Sequence, residues 1–322
     1  MTQQFGAKST ADEVLSDLDL SKKRFLITGA SSGIGLETAR ALAARGANVV
    51  GTVRNLQKAQ QSTAPAHASA AHSHGSVKLI ELDLASLQSV RAAADALLAQ
   101  TQPFDAIIAN AGVMATPFAR TEDGIEIQFA TNYLGHFALL LNIHPLLADG
   151  GRLVALSSQA HRISDIDLDD LNFERTTYDP WLAYARSKTA TALWAVQFDR
   201  LYRHRGIRAA SVMPGNSFTG LTAHFSQDEL QKLFEAVGKA RAEANLPPAE
   251  LKEVTQAAAT PVWAAVVADQ EAIGGRYLED CSVAIIDDTP NPFADGVRSY
   301  ALDSEKARNL WEKTEQLLSA IS

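Results

Sequence analysis

The feature that most constrains the fold of this chain is a glycine-rich turn between a short apolar strand and a helix. Phe25-Leu26-Ile27 is typical of a buried strand, residues 28–35 (TGASSGIG) follow it directly, and a helical pattern then runs to Gly46. Glycines at such a turn let the backbone approach a pyrophosphate, and the helix N-terminus offers unpaired N–H groups and a partial positive charge. The three pieces predict a phosphate-binding unit, with a simple tight turn as the alternative.

The alternation of strand and helix continues beyond this unit. It predicts a doubly wound α/β domain with a mostly parallel seven-stranded sheet, helices on both faces and a site at the carboxyl ends of the strands. No linker rich in Pro, Gly or Ser divides the sequence, so we expect an N-terminal arm at residues 1–20, with a short helix at 11–18, and a single domain at 21–322. The further predicted strands are 48–53, 77–82, 106–109, 152–156, 208–212 and 276–278.

Composition narrows the possible partners. The 29 basic and 37 acidic residues give a net charge of −8, which argues against a nucleic acid or an anionic membrane as partner. The single cysteine, Cys281, excludes an internal disulfide and suits a reducing cytosol. No 18-residue apolar run is present, and the first 20 residues lack a hydrophobic signal core. We therefore expect a soluble, cytoplasmic protein.

One low-complexity segment, residues 57–75, is rich in Ala and Ser and contains His67, His72 and His74. Neither cysteine nor an acidic residue lies among the three histidines, so a solvated surface loop is favoured over a metal site. The sequence predicts no metal.

A second motif, Tyr184-Ala-Arg-Ser-Lys188, lies in a predicted helix. Residues four apart share one helix face, so we expect the Tyr184 phenol and the Lys188 ammonium to be neighbours. A cation within a few ångströms lowers the pKa of a phenol, ordinarily about 10, by roughly 1–3 units. The pair therefore indicates a general acid or base, although a chain of this composition can contain the spacing by chance.

The glycine spacing of residues 28–35 and the Tyr184-x-x-x-Lys188 motif together resemble the classical short-chain dehydrogenase/reductase family, which has a Rossmann-type fold. The opening Ser157-Ser158-x-Ala-His and the N-terminal residues 13–21 (EVLSDLDLS) resemble its retinol dehydrogenase and WW-domain oxidoreductase branch. Further marks of the family follow the strands in its order: Asp83-Leu84, Asn110-Ala111-Gly112 and Pro214-Gly215.

The resemblance implies a nicotinamide dinucleotide cofactor and assigns its contacts. The glycine turn would hold the pyrophosphate, Asp83-Leu84 the adenine and Lys188 the nicotinamide ribose, while the residues after the sixth strand would face the nicotinamide. The implied cofactor-binding residues are Gly29, Ser31, Ser32, Gly33, Ile34, Gly35, Arg54, Asp83, Leu84, Asn110, Ala111, Gly112, Tyr184, Lys188, Pro214, Gly215, Ser217 and Thr219.

The resemblance also implies four catalytic residues. Tyr184 would donate the proton, Lys188 would lower the pKa of the tyrosine, and Ser158, with Ser157 as the alternative, would orient the substrate oxygen. Asn132 lies in an apolar helix, where its amide must be satisfied, and would hold a water in the proton relay. A plain interhelical hydrogen bond is the alternative for Asn132.

The end of the second strand bears on the choice between NADP(H) and NAD(H). An acidic residue about 20 positions after the glycines binds the ribose hydroxyls of NAD, whereas an arginine accommodates a 2′-phosphate. Here Val53 occupies the acidic position and Arg54 follows it, so we expect NADP(H) to be preferred. An ordinary solvated arginine is the alternative.

Three segments on the substrate side are expected to be specific to this chain. Residues 161–180 form an acidic insert that we expect to be a solvated loop. Residues 217–254 are apolar at partly helical spacing and predict a substrate lid or, equally, a docked helix. The helix that carries Tyr184 is apolar on more than one face, which favours a homodimer.

These features predict an NADP(H)-dependent oxidoreductase that interconverts an alcohol and a ketone or aldehyde on a hydrophobic small molecule. Two alternatives stay open: a non-catalytic regulatory protein that binds the cofactor on the same fold, and a reductase of carbon-carbon double bonds. A reductase of carbon-carbon double bonds would use an active-site cysteine, and the single cysteine of this sequence is Cys281.

Overall fold

The computed structural model of the protein describes residues 5–217, 221, 225–243, 245–248 and 250–321. One sheet of eight strands forms its centre. The strands are β1 (Arg24–Thr28), β2 (Asn48–Val53), β3 (Ser76–Glu81), β4 (Phe104–Ala109), β5 (Leu147–Leu156), β6 (Arg208–Met213), β7 (Tyr277–Glu279) and β8 (Ser282–Val283).

The strand order is β3-β2-β1-β4-β5-β6-β7-β8. The pairs from β3 to β7 are all parallel, and β8 alone is antiparallel. The order reverses between β1 and β4, and ligands of doubly wound sheets bind outside the carboxyl ends of the strands at such a reversal. The topology therefore places a ligand cleft beside the ends of these two strands.

The eighth strand is one more than predicted. It arises because Asp280 and Cys281 both adopt positive φ, +50° and +54°, and form a two-residue turn that folds β8 back onto β7. This backbone shape is the usual one for a two-residue hairpin, but it ordinarily carries Asn-Gly or Asp-Gly. The Asp-Cys pair gives no such signal.

Helices cover both faces of the sheet. They are α1 (Ala11–Val14), α2 (Gly33–Ala43), α3 (Leu56–Ser62), α4 (Ala64–Ser73), α5 (Leu87–Leu98), α6 (Ile127–Phe129), α7 (Gly135–Ile143), α8 (Pro180–Tyr202), α9 (Gln227–Glu243), α10 (Val254–Ala257), α11 (Ala259–Val262), α12 (Gln270–Ile273) and α13 (Ser304–Ile321). Two π-helical segments, Ala130–Leu134 and Trp263–Val267, continue α6 and α11.

Each face has its own apolar core. On one face the core contains residues of α5, α7, α8 and α13, and on the other it contains residues of α1, α2, α4 and α11. The doubly wound α/β architecture predicted from the alternation is thereby confirmed. No helix in the described part of the chain is both long and apolar enough to cross a membrane.

The low-complexity segment is helical, so the predicted surface loop at residues 57–75 is wrong. Asn55 caps α3, and the buried Ala59, Ala66 and Ala70 anchor α3 and α4. Alanine has the highest helix propensity of the amino acids, and three small side chains suffice to pack the pair of helices on the core. Among the described residues, no three His, Cys, Asp or Glu side chains cluster as a metal site.

The N-terminal segment packs on the core instead of standing apart from it. Thr10 and Glu13 form a capping box for α1, which ends at Val14. Val14 and Leu15 are buried, but Leu18, at the end of the predicted helix, is 38% exposed. The predicted helix is therefore too long by about one turn.

Helix α13 covers the apolar face of α8 within the same chain. The Trp311 ring lies 4.6 Å from the Phe137 ring and 6.4 Å from the Phe198 ring. Tyr133 and Thr314 share a buried hydrogen bond of 2.8 Å. Leu193, Trp194 and Phe198 of α8 are thus buried within the chain, whereas Leu201 is 37% exposed, and the homodimer stays a prediction.

The acidic insert is only partly solvated, and its beginning contradicts the prediction of a solvated loop. His161 and Arg162 are buried, and the Arg162 guanidinium donates to the carbonyl oxygens of Asp287 and Asn291, both at 3.0 Å. Asp170 is also buried and accepts the backbone N–H groups that follow it. These partners lie more than 120 residues away or inside the insert, so the local sequence gives no sign of the packing.

Candidate active site

A cleft of about 440 Å³ opens at the carboxyl ends of the central strands. It is lined by every predicted cofactor-binding residue that the structure describes; Thr219 lies outside the described residues. These residues are Gly29, Ser31, Ser32, Gly33, Ile34, Gly35, Arg54, Asp83, Leu84, Asn110, Ala111, Gly112, Tyr184, Lys188, Pro214, Gly215 and Ser217.

The glycine turn after β1 is a backbone cradle. Gly29 and Gly33 have φ of +70° and +54°, which L side chains rarely adopt. A Cβ at Gly35 would lie 2.3 Å from the Gly29 carbonyl oxygen. Ser32 occupies the N-cap position of α2, but its side chain makes no hydrogen bond to the helix. The first N–H groups of α2 therefore remain available along the cleft. An uncapped helix N-terminus beside a glycine cradle fits a pyrophosphate, and these residues therefore fit a nicotinamide dinucleotide.

Thr28 joins the two strand ends at the reversal of strand order. Its hydroxyl oxygen accepts the N–H groups of Asn110 at 2.9 Å and Ala111 at 3.0 Å. The Asn110 amide in turn donates to the Thr28 carbonyl at 2.8 Å. Sequence reasoning assigned no role to Thr28, which fixes the Asn-Ala-Gly segment against the glycine turn.

At the end of β2, Val53 is buried and Arg54 is exposed on the cleft wall. Asn55 caps the following helix, so Arg54 occupies the short link between strand and helix. Asp83 lies after β3 on the same wall, where its carboxylate accepts the Ala85 N–H at 2.9 Å.

Tyr184 and Lys188 lie one turn apart on α8 and are each only 4% exposed. The Lys188 ammonium nitrogen is 5.7 Å from the centre of the Tyr184 ring and donates to the Leu156 carbonyl at 2.8 Å. The Ser158 hydroxyl lies near enough to the Tyr184 phenol to oppose the rise of its pKa, and both residues line the cleft. The structure thus brings three of the four predicted catalytic residues together on the cleft wall.

Burial dominates the proton affinities of this pair. It raises the pKa of Tyr184 to about 12, against an opposing effect of the Ser158 hydroxyl, and lowers the pKa of Lys188 to about 8. The expected lowering of the Tyr184 pKa by Lys188 is therefore wrong for this structure, because desolvation exceeds the stabilising effects and the ammonium is directed at the Leu156 carbonyl.

The two serines after β5 have different surroundings. Ser157 is buried, and its hydroxyl donates to the Lys188 carbonyl at 2.8 Å. The Ser158 hydroxyl lies near the Tyr184 phenol instead. The geometry favours Ser158 over Ser157 as the residue that faces a substrate oxygen.

Asn132 lies in the π-helical segment after α6, behind the cleft wall. Its amide exchanges hydrogen bonds with the Val113 backbone, at 2.8 and 2.9 Å, and donates to Ser187 at 2.8 Å. The interhelical hydrogen bond considered as the alternative is therefore present. Any relay through this residue would use its backbone carbonyl, because the side chain is already satisfied.

The segment after β6 is held from behind. Gly215 has φ +102°, and a Cβ there would lie 2.4 Å from the Lys252 side chain. The Lys252 N–H donates to the Asn216 carbonyl at 2.7 Å, so the two ends of the predicted lid are joined. The Ser217 hydroxyl lines the cleft, buried and without a partner among the described residues.

The remaining cleft wall is largely apolar. The Trp181 ring packs edge-on to Tyr184 at 6.3 Å and stacks with Phe225 at 6.2 Å. Met114, Ile127 and Leu221 also line the cleft. Cys281 is buried against Thr260 with its pKa raised by burial to about 11, and it is not among the described residues of the cleft.

A doubly wound sheet with a glycine cradle at its reversal point and a Tyr–Lys pair on the adjoining helix defines an oxidoreductase of the dinucleotide-binding α/β class. The family model described as short chain dehydrogenase matches residues 23–230. The chain therefore belongs to the short-chain dehydrogenase/reductase family, as its motifs implied.

Relatives support this membership along nearly the whole chain. Short-chain dehydrogenase/reductase prx1 from Penicillium roqueforti is 36% identical over 97% of this chain and 91% of its own length. WW domain-containing oxidoreductase from Homo sapiens is 34% identical over 98% of this chain and 73% of its own length. The crystal structure of an uncharacterised protein from Mycobacterium Paratuberculosis superposes with a TM-score of 0.69 at 32% identity, covering 96% of this chain and 97% of that one.

Proposed function

We propose that this protein is an NADP(H)-dependent oxidoreductase that interconverts an alcohol and a ketone or aldehyde on a hydrophobic small molecule. The observation that carries the proposal is the convergence of Ser158, Tyr184 and Lys188 in one cleft with the glycine cradle. A phenol and a hydroxyl that line the same cleft can both reach one substrate oxygen, which is the arrangement that proton transfer to a carbonyl requires.

Each residue has a distinct part in the proposed reaction. When bound, the nicotinamide supplies or accepts the hydride. In the reducing direction Tyr184 donates its proton to the carbonyl oxygen while Ser158 stabilises the developing negative charge through a hydrogen bond. The Lys188 ammonium lies 5.7 Å from the centre of the Tyr184 ring, and its part in the proposed reaction is to hold the nicotinamide ribose.

Arg54 supports the preference for NADP(H). It is exposed on the cleft wall directly after the buried Val53, at the position where an acidic residue would bind the ribose of NAD. A guanidinium there offers several donors to a 2′-phosphate and repels no part of it.

The wall near Tyr184 supports an apolar substrate. Met114, Ile127 and Leu221 line the cleft, and Trp181 packs edge-on to the Tyr184 ring with Phe225 stacked against it. Burial of such surface favours a substrate with a ring or an aliphatic chain next to its carbonyl group.

A substrate panel tests the proposal. Aliphatic, aromatic and cyclic ketones and aldehydes are incubated with the protein and NADPH or NADH, and cofactor oxidation is followed at the reduced-nicotinamide absorbance band. We expect turnover of hydrophobic carbonyl compounds with NADPH above NADH. Reduction of enone double bonds alone would assign the carbon-carbon reductase class, and cofactor binding without any turnover would assign a regulatory protein; either result overturns the proposal.

A further inference from the structure

Two histidines are fully buried in the core behind the proposed catalytic residues. His136 in α7 is 1% exposed and His161, in the short helical turn after Ser158, is 0% exposed. Neither belongs to the described cleft wall. Each is hydrogen-bonded through both ring nitrogens, and the partners determine which nitrogen carries the proton.

His161 has an unambiguous tautomer. The backbone N–H of Arg298 donates to its Nε2 at 3.2 Å, so Nε2 is an acceptor. Its Nδ1 lies 2.7 Å from the Ser158 carbonyl oxygen, which can only accept. The Tyr277 hydroxyl oxygen also faces Nδ1, at 3.1 Å. Because Nε2 of the neutral ring accepts, the proton is on Nδ1, and the ring donates to the Ser158 carbonyl as its nearer partner.

His136 reaches the same tautomer by a different route. The Thr28 hydroxyl oxygen already accepts two N–H groups, so its proton is directed at His136 Nε2, 2.8 Å away. The remaining nitrogen, Nδ1, lies 3.1 Å from the Asn132 carbonyl oxygen and must donate to it. His136 thus links the glycine turn to the backbone of Asn132.

Both rings are neutral at physiological pH. Burial lowers the pKa of His136 to about 3 and that of His161 to about 4. The cations facing the rings act in the same direction: Lys188 faces His136, and Arg162 and Arg298 face His161.

We propose that His136 and His161 are positioning residues, each a neutral Nδ1–H donor that fixes the main chain of a proposed catalytic residue: Asn132 for His136 and Ser158 for His161. This inference rests on the proposed function, because it assumes that Asn132 and Ser158 serve the reaction.

The geometry shows what each ring donor adds. Ser158 follows the end of β5, and its carbonyl oxygen accepts the backbone N–H of His161 at 3.0 Å as well as the His161 ring at 2.7 Å. The Asn132 carbonyl lies in a π-helical segment and accepts the Thr191 hydroxyl at 3.4 Å as well as the His136 ring at 3.1 Å. In both places the ring donor is nearer than this second donor, so it contributes more to fixing the direction of the carbonyl.

The test compares asparagine with leucine at each histidine. Asparagine places an amide nitrogen close to the position of Nδ1, and leucine has a similar volume but no donor. If the histidines only fill space, leucine is at least as good as asparagine in a fully buried apolar site. If they position the main chain, H161N retains activity while H161L loses it, and likewise H136N and H136L.

We expect each leucine variant to reduce kcat by about tenfold or more relative to its asparagine partner, with the NADPH dissociation constant changed less than threefold for the His161 pair. If a leucine variant does not fold, as judged by its thermal transition, glutamine replaces it. Glutamine places its amide near Nε2, so H161Q should fall below H161N. Equal kcat in the asparagine and leucine or glutamine variants overturns the proposal.

A spectroscopic measurement is independent of turnover. In protein labelled with ¹⁵N-histidine, long-range nitrogen–proton couplings identify the tautomer, and the H136N and H161N variants assign the two signals. We expect both rings to be Nδ1–H and neutral from pH 6 to 8, and an Nε2–H tautomer or a charged ring would overturn the inference. If the wild-type protein reduces no carbonyl compound, the proposed function is wrong. The tautomers of His136 and His161 can still be measured in that case, so the two failures are distinguishable.

Discussion

The cofactor side and the substrate side of the cleft are built in different ways. Around the glycine turn the walls consist of backbone and small side chains, so close together that a Cβ added at Gly29 would lie 2.9 Å from Ala111 and one added at Gly35 would lie 2.3 Å from Gly29. Around Ser158 the structure depends on long polar side chains that reach distant carbonyl groups. Arg162 donates to Asp287 and Asn291, and Gln159 donates to Phe293 at 3.1 Å.

The difference shows which kind of change each side tolerates. A wall made of backbone has no room for an added atom, so steric insertions damage it. A wall held by buried donors is sensitive to the loss of any one of them, because a carbonyl or guanidinium that is buried without a hydrogen bond destabilises the fold. An added methyl group should therefore damage the cofactor side more than the substrate side. Removal of a hydrogen-bond donor should damage the substrate side more than the cofactor side.

The largest expected effect is on the chemistry where the two sides meet. Tyr184→Phe removes the proposed proton donor without changing the ring, so kcat should fall by about 10²–10⁴-fold. NADPH affinity, measured by fluorescence, should stay within about threefold of the wild type. Tyr202→Phe, at the far end of the same helix, is the control and should leave kcat unchanged. A Tyr184→Phe protein with near-normal turnover contradicts the mechanism.

Arg162→Met should produce the largest effect on the substrate side. It leaves several buried carbonyl oxygens without their donor, and losing one partner of a buried charged network costs about 3–5 kcal/mol of unfolding free energy. Denaturant titration measures this cost. Arg308→Met on α13, half-exposed, is the control and should shift the unfolding free energy by less than about 0.5 kcal/mol. Unchanged stability of Arg162→Met would remove the claimed asymmetry.

Gly35→Ala makes the corresponding test on the cofactor side. The new methyl group would collide with the Gly29 carbonyl and the Asn110 amide, at 2.3 and 2.4 Å. We expect a loss of about 1–3 kcal/mol in unfolding free energy and at least tenfold weaker NADPH binding. Gly238→Ala in α9 has open space and should be neutral or slightly stabilising. If Gly35→Ala binds NADPH as tightly as the wild type, the glycine turn can move to accommodate the methyl group, and the prediction is wrong.

Glu279 makes the substrate side sensitive to pH. Its carboxylate accepts the Gly296 N–H, and burial, with Asp295 and Asp280 nearby, raises its pKa to about 7. The unfolded carboxyl has a pKa of about 4.3, so the stabilising contribution of the protonated form is lost as the pH rises from about 4.3 through 7. Glu279→Gln stays neutral and should be more stable than the wild type by about 1–2 kcal/mol at pH 8, but not at pH 5. Thermal unfolding measures the stability difference between Glu279→Gln and the wild type at each pH. The same difference at pH 5 and pH 8 would show that the Glu279 carboxyl does not titrate between these values.

The smallest expected effect is a change of cofactor preference. Arg54→Asp should reverse the charge met by a 2′-phosphate and lower the ratio of kcat/KM for NADPH over NADH by about tenfold or more. Lys58→Asp is the matched control, because Lys58 is exposed on α3 outside the described cleft wall. An unchanged ratio in Arg54→Asp would assign the arginine to the solvated surface.

The sequence predicted the cofactor side well and the substrate side poorly, for a physical reason. Gly29 acts through its own positive φ and Gly35 through its close approach to Gly29 six residues earlier, so the spacing of the glycines carries the information. Arg162 donates to a partner 125 residues away, and the His161 ring is oriented by the N–H of Arg298, 137 residues away, so nothing in the local sequence distinguishes either residue from a surface residue. The same holds for the pKa of Tyr184, since the helix spacing gives its distance to Lys188 but not the depth of its burial.

The helices of the low-complexity segment and the hairpin of β8 were missed for a related reason. Ala59, Ala66 and Ala70 are helix formers whose contribution depends on the core beneath them, and the Asp280-Cys281 turn is a rare choice of residues for a common shape. Ser158 and Asn132 were identified by family resemblance. The alternative for Asn132, a plain interhelical hydrogen bond, followed from the need to satisfy its buried amide, and the structure contains that bond.

The covering of α8 by α13 has a consequence for the time course of synthesis. Helix α8 ends at Tyr202 and α13 begins at Ser304, so roughly 100 residues are added after α8 before its cover exists. At about 5–20 residues per second, the apolar surface around Phe198 is without α13 for roughly 5–20 s. During that interval the nascent chain presents this surface to chaperones and to neighbouring chains, and Trp311 ends the exposure when it packs on Phe137 and Phe198.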